Sequence, residues 1–236
     1  MDVTLVVPAY NEAERIGPMF EDYLTTMADS VLFHVVLNGC SDNTESVVKD
    51  WQAKYPERIT YEVHKESYGK GWAVRLGFTS IRNEYVGYVD ADGSTPAREF
   101  NKLLQALENV DGTIASRYAE GAEIANRVSW FRRIAGYGFR FLVRLIVELP
   151  YADTQCGAKV FKQDVIKKIL PDLSVNNMAF DIELLLLCKQ HNYQITEVPT
   201  YWEENKASTF ITTKYKLVQT SLRMLKTTFQ LRKRFK

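Results

Sequence analysis

The chain has 236 residues, 46% hydrophobic and 25% charged, an ordinary balance for a globular protein and enough for one α/β domain with a normal core. Cys40, Cys156 and Cys188 are widely spaced and His34, His64 and His191 are scattered, which argues against a zinc site, a disulfide framework or a Ser-His-Asp triad and for a reducing compartment. The formal net charge of +1 conceals two basic stretches, one between Glu123 and Glu148 and one after Glu204.

Val3-Thr4-Leu5-Val6-Val7 is an apolar run broken by Pro8 and reads as a buried strand. Met1-Asp2 leads straight into it, so no signal peptide is expected. From Asn11 to about Met27, helical spacing puts Ile16, Phe20, Tyr23 and Leu24 on one face, with Asn11 as the expected N-cap. Residues 32–37 predict a second strand, and Ser41-Asp42-Asn43-Thr44 predicts the cap of a helix reaching about Tyr55. A strand over 59–63, a helix over 71–81, a strand over 85–89, a helix over 98–107 and a strand over 113–115 follow. Strands alternating with helices imply a mostly parallel sheet with right-handed crossovers. Beyond Arg117 the pattern fades into an arginine-rich apolar helix, a Cys-Gly loop, a helix near residues 181–190 and a basic tail.

The strand over 85–89 runs into Asp90-Ala91-Asp92. Ligands of open α/β sheets bind beyond the carboxyl ends of strands. Residues two apart on a strand point the same way, and paired carboxylates repel unless a cation joins them. The stretch therefore reads either as a divalent-metal and diphosphate site or as two loop aspartates, one capping the helix that follows Pro96.

The basic stretches suggest an anionic surface. Over 133–147, Arg133, Arg140 and Arg144 share a helical face, with Ile134, Phe141, Leu142, Leu145 and Ile146 around the rest. The tail over 214–236 repeats the pattern with Leu217, Leu222, Leu225, Phe229 and Leu231. Arginine heads can snorkel at a membrane surface, each basic residue contributing about 1 kcal/mol near anionic headgroups. The other reading is helices packed on the protein with their arginines in water. No stretch approaches the roughly 20 apolar residues of a spanning helix. Nucleic acid is not an expected partner, because the basic segments carry no recognisable module.

Two common phosphate-binding devices are missing: there is no Walker A sequence, and the first turn reads Pro8-Ala9-Tyr10-Asn11-Glu12 in place of Gly-x-Gly-x-x-Gly. That turn, then Asn38-Gly39-Cys40-Ser41-Asp42-Asn43-Thr44, Gly69-Lys70-Gly71 and Asp90-Ala91-Asp92-Gly93, resembles the successive motifs of family 2 glycosyltransferases of the GT-A fold. Ser116-Arg117-Tyr118, Asp153-Thr154-Gln155-Cys156-Gly157-Ala158-Lys159, Phe180-Asp181-Ile182-Glu183 and Val198-Pro199-Thr200-Tyr201-Trp202 narrow the resemblance to the polyprenyl-phosphate glycosyltransferases, and the second and third of these look closest to the dolichyl-phosphate β-glucosyltransferases. The resemblance spans nearly the whole chain.

It implies a single GT-A domain, a Rossmann-like, mostly parallel sheet flanked by helices, with amphipathic interfacial helices toward the C-terminus. Residues 1–118 would bind the nucleotide-sugar, and residues 119–236 would serve the acceptor and the membrane interface. By resemblance, Pro8, Ala9, Tyr10 and Glu12 line the nucleoside pocket, with Asn38, Asp90 and Ala91 also on the donor. Asp92 would bind Mg²⁺ or Mn²⁺ against the diphosphate. Ser94 stands where mannosyl-transferring relatives carry a Gln ligand. Lys70 either approaches phosphates or is a solvated lysine. Arg117 is the stronger phosphate candidate, since its planar fork suits bidentate anion contacts. Arg132, Arg133, Lys159 and Lys206 are candidates for the acceptor phosphate. Asp181 either acts as a base or sits in a first helical turn for structural reasons. The implied reaction is an inverting, metal-dependent hexose transfer, with UDP-glucose as donor, to dolichyl or polyprenyl phosphate at the cytoplasmic face of a membrane. The alternatives are a GDP-mannose donor or a hydroxyl acceptor.

Overall fold

The computed structural model describes residues 1–125, 130–203 and 214–236. In chain order the elements are β1 (Val3–Ala9), α1 (Ile16–Thr26), β2 (Val31–Asn38), α2 (Thr44–Lys54), β3 (Ile59–His64), α3 (Lys70–Ser80), β4 (Tyr85–Val89), α4 (Ala97–Gln105) and β5 (Gly112–Ser116). Then come β6 (Glu123–Ile124), α5 (Trp130–Val147), β7 (Ala158–Lys162), α6 (Gln163–Ile169), α7 (Phe180–Gln190), β8 (Ile195–Pro199), β9 (Tyr201–Trp202) and α8 (Lys214–Arg234).

Seven strands form one sheet in the order β3-β2-β1-β4-β7-β5-β8, while β6 and β9 pair separately. β7 runs antiparallel to both β4 and β5, and the other pairings within the sheet are parallel. The direction of β7 brings the carboxyl ends of β1, β2, β4, β5 and β8 and the amino end of β7 to a single edge. Every loop that carries a motif therefore opens on that edge, as expected for ligand binding in such sheets.

Alternation along β1 explains the two cores. Leu5 and Val7 face Phe20, Tyr23, Val48 and Phe100 on one side, and Val6 faces Val74, Phe78 and the leucines of α7 on the other. Strands buried on both faces read as continuous apolar runs, which is why the first half of the chain was legible.

Two expectations are corrected. Helix α1 begins at Ile16, not at Asn11. Asn11 has a left-handed backbone (φ 56°), and its Oδ1 accepts the Ser41 N–H at 2.8 Å, so it joins the β1 and β2 loops in place of capping a helix. The segment after Arg117 also does not leave the sheet, because β7 and β8 return to it. On α5, Phe141, Leu142 and Leu145 are exposed and Val143, Ile146 and Val147 are buried. The Arg140 guanidinium lies 3.8 Å from the centre of the Tyr118 ring, so it stacks on the protein. No helix among the described residues is long and apolar enough to cross a membrane.

Candidate active site

At the end of β4 the Asp90 N–H donates to the Gly157 carbonyl at 2.9 Å, while its Oδ1 meets the Lys70 Nζ at 2.6 Å. Gly157 is required here, because a Cβ at that position would overlap the Asp90 carboxylate. Gly69 adopts φ 98° and leads into α3 where a Cβ would overlap the Asn176 carbonyl. The same carbonyl accepts the Gly71 N–H at 2.8 Å, which clamps the start of α3 to the loop before α7. Lys70 is thus not a solvated lysine. Burial alone would lower its pKa, but Asp90 and Asp181 hold it above the ordinary lysine value. Asp90 is raised by burial and by Asp92, against the opposing pull of Lys70.

Two adjoining hollows share Lys70, Asp90 and Asp92. The larger is a cleft of about 410 Å³. Its wall contains Pro8, Ala9, Tyr10, Glu12, Asn38 and Ala91, all expected on the donor. Glu12 lies against Arg15 (Oε2 to Nη2, 2.5 Å). Burial pushes its carboxyl up to about 8, Arg15 opposes the rise, and Asp92 and Asp90 add to it. A carboxyl that keeps its proton at neutral pH can both donate to and accept from ribose hydroxyls. Asn38 lines this wall and also braces the chain beside it. Its Nδ2 donates to the Gly69 carbonyl at 3.1 Å and its Oδ1 accepts the Tyr68 N–H at 2.9 Å, so its amide holds the 67–69 loop.

The smaller hollow, about 150 Å³, adds Ser94, Arg117, Gln155, Asp181 and Trp202. Asp153 grips Arg117 in a fork, Nε to Oδ2 at 2.7 Å and Nη2 to Oδ1 at 3.0 Å. The carboxylate raises the arginine pKa despite burial, and the arginine lowers that of Asp153. Lys159 departs from its expected place, and Asp181 sits in the first turn of α7, one of the two positions expected for it. Lys159 is fully buried, and its Nζ donates to Asp181 Oδ1 at 2.6 Å and to the Cys156 carbonyl at 2.7 Å. It has no surface to offer an acceptor phosphate. Asp181 Oδ1 also accepts from the Tyr88 hydroxyl, so this oxygen is engaged within the fold.

Among the described residues no cluster of three or more His, Cys, Asp or Glu side chains could hold a metal. The residues still fit a divalent cation of the Mg²⁺ type, which typically uses one or two carboxylates together with substrate phosphates and water. Asp92 supplies such a carboxylate beside the cleft, and its Oδ1 is oriented by the Ser94 N–H at 2.9 Å. The Ser94 carbonyl accepts the Glu203 N–H at 3.0 Å, which ties this turn to the segment after β9.

The sequence model for "Glycosyl transferase family 2" matches residues 4–170. The chain belongs to glycosyl transferase family 2. Among its relatives, a dolichyl-phosphate beta-glucosyltransferase of Trichomonas vaginalis is 35% identical over 85% of this chain and 64% of its own length. Those of Drosophila melanogaster and Homo sapiens are 34% and 31% identical, over 86% and 89% of this chain and 68% and 69% of their own. The chain thus spans about two thirds of the length of these curated relatives. Glucosyl-3-phosphoglycerate synthase of Mycobacterium tuberculosis shares the fold at a TM-score of 0.72, 17% identity, and coverage of 97% of this chain and 80% of that one. The mostly parallel sheet flanked by helices is the expected GT-A arrangement.

The residues expected at the acceptor phosphate are partly described. Arg132 and Arg133 lie on α5, but their side chains, like Lys206, are outside the described residues. Helix α8 shows a role that the sequence reading missed: Thr220, Arg223 and Met224 line the larger cleft. The helix is held in place by Arg234, whose Nη1 lies 2.6 Å from the buried Glu183, and by Asn177 Nδ2 donating to Thr227 Oγ1 at 3.1 Å. The signal available in the sequence was the run Met224, Thr228 and Leu231, which turns one face of the basic tail toward the protein.

Proposed function

We propose that the protein transfers glucose from UDP-glucose to dolichyl phosphate with inversion, giving a β-linked lipid monophosphosugar. The observation that carries this reading is the pair of adjoining hollows meeting at Lys70, Asp90 and Asp92. One suits a nucleoside, the other a sugar and its acceptor, and the charged strand end between them suits a diphosphate. The curated relatives are named for this activity, and structural neighbours of the same fold were crystallised with Mn²⁺ and UDP.

A phosphate oxygen of the acceptor forms the new bond to the anomeric carbon. The bond from that carbon to the donor diphosphate breaks, and the nucleoside diphosphate leaves with the electron pair. A phosphate monoester is largely a dianion at neutral pH and needs no base. Asp92 would hold Mg²⁺ or Mn²⁺, whose charge offsets that gathering on the leaving group. Arg117, locked by Asp153, would present its remaining edge to phosphate or to the sugar.

In this reading the enzyme works as a peripheral protein at the cytoplasmic face. The exposed Phe141, Leu142 and Leu145 of α5 and Val218, Leu222 and Phe229 of α8, with Arg144, Lys226 and Lys233 near them, support binding to an anionic membrane. The deciding experiment offers purified protein dolichyl phosphate, Mg²⁺ or Mn²⁺ and a panel of labelled sugar nucleotides. Labelling of the lipid from UDP-glucose, lost on chelation and in Asp92→Ala, is expected. No labelled lipid from any donor rejects the reading, and labelling from GDP-mannose alone replaces the sugar.

A further inference from the structure

The loop joining α5 to β7 is fixed at several polar points. The Ala152 and Asp153 N–H groups each donate to the Glu197 carboxylate at 2.8 Å. Asp153 holds Arg117 and also accepts the Gln155 N–H at 3.0 Å. The Cys156 carbonyl receives Lys159, and the Gly157 carbonyl receives the Asp90 N–H. One group stands apart. The Gln155 side-chain Nε2 is buried and has no hydrogen-bond partner among the described residues. Leaving a buried donor unpaired is costly, so such a group calls for an explanation.

Its surroundings supply one. Gln155 lines the 150 Å³ hollow together with Asp90, Asp92, Arg117, Asp181 and Trp202. Carboxylates, an amide and an arginine beside an aromatic ring suit a ligand that carries hydroxyls on its rim and C–H groups on its face. A hexose is such a ligand. The backbone bonds on either side of Gln155 fix where its side chain starts, which is the preorganisation that selective recognition requires.

We propose that Gln155 recognises the transferred sugar, its side-chain amide donating to one ring hydroxyl of the donor hexose in this hollow. The inference rests on the reading of the protein as a sugar-nucleotide-dependent transferase. It adds a specificity-determining contact, separate from the nucleoside cleft and from Asp92.

The test compares the wild type with Gln155→Leu and Gln155→Glu, using UDP-glucose, its 2-, 3-, 4- and 6-deoxy analogues, dolichyl phosphate as acceptor, and UDP as a binding control. UDP affinity measured by calorimetry is expected to stay within about twofold in both variants, because the sugar hollow is not needed for it. With UDP-glucose, kcat/KM is expected to fall about tenfold or more in Gln155→Leu, as for loss of one hydrogen bond to a buried group. The wild type should discriminate strongly against one deoxy analogue, and Gln155→Leu should lose that discrimination at the same hydroxyl only. Unchanged discrimination at all four hydroxyls overturns the proposal, as does an equal loss of UDP and UDP-glucose affinity, which marks a merely structural role. If the wild type neither binds UDP nor uses any sugar nucleotide, the underlying transferase reading fails first.

Discussion

The Lys159 ammonium and the Asp181 carboxylate lie 2.6 Å apart in the interior, with side chains 0% and 2% exposed. The pair bridges β7 and α7, with Asp181 on the wall of the smaller hollow. Removing one partner strands the other charge in a low-dielectric interior. Lys159→Met is therefore expected to destabilise the fold by about 3–5 kcal/mol in urea unfolding. The double variant Lys159→Met, Asp181→Leu should lose less than the sum of the two single changes, because it removes both buried charges. Additive losses would show that the two groups do not act as a pair.

Gly157→Ala tests how closely the β7 entry loop supports Asp90. The added methyl overlaps the Asp90 carboxylate, so Asp90 and its partner Lys70 must shift. Transfer is expected to fall on the order of 100-fold, the scale of a 1 Å misplacement at a reacting centre. A steady-state assay checks the rate, and a near-wild-type rate would remove Asp90 from the donor site.

Glu12 gives a pH signature. Its carboxyl is raised from 4.5 to about 8 by burial, against Arg15 and with Asp92 and Asp90. Between those two values the folded protein holds a proton that the unfolded chain has released. The stabilising effect of that proton is complete below pH 4.5, declines as pH rises and is gone once pH passes about 8. UDP affinity should fall across the upper limit, where a new negative charge meets the diphosphate. Glu12→Gln should flatten both profiles, as read by calorimetry and by thermal melts between pH 6 and 9.

Arg223 is the cation of the larger cleft with no carboxyl group beside it among the described residues, since Arg15 lies against Glu12 and Lys70 against Asp90. Arg223→Gln is expected to weaken UDP about fivefold at low salt and less at high salt, while uridine binding is unchanged. Equal effects on UDP and uridine would assign Arg223 to packing.

The donor half was legible because its signals are local. An apolar run followed by Pro8, by Asn38-Gly39 or by Asp90 marks a strand end, and parallel topology brings those ends together. What stayed hidden depends on distant partners. Ala158-Lys159-Val160-Phe161-Lys162 does not read as a central strand, because Lys159 looks solvent-exposed until Asp181, on another element, neutralises it. Asn11 suits a helix cap by type, but the Ser41 loop claims its side chain. The tail was open to two readings, interfacial or packed on the protein, because its basic residues dominate its composition. Only docking separates the face carrying Met224, Thr228 and Leu231 from the exposed row of Val218, Leu222 and Phe229.

The place of β7 constrains how the protein is made. β5 pairs only with β7 and β8, and one edge of β4 is also closed by β7. While the ribosome has delivered only residues 1–118, β4 and β5 present open, apolar edges with nothing to pair against. Such edges are templates for aggregation. A fragment ending there is thus a hazardous intermediate: β7 closes β4 and one edge of β5 once residue 162 has emerged, and the other edge of β5 stays open until β8 (Ile195–Pro199) follows.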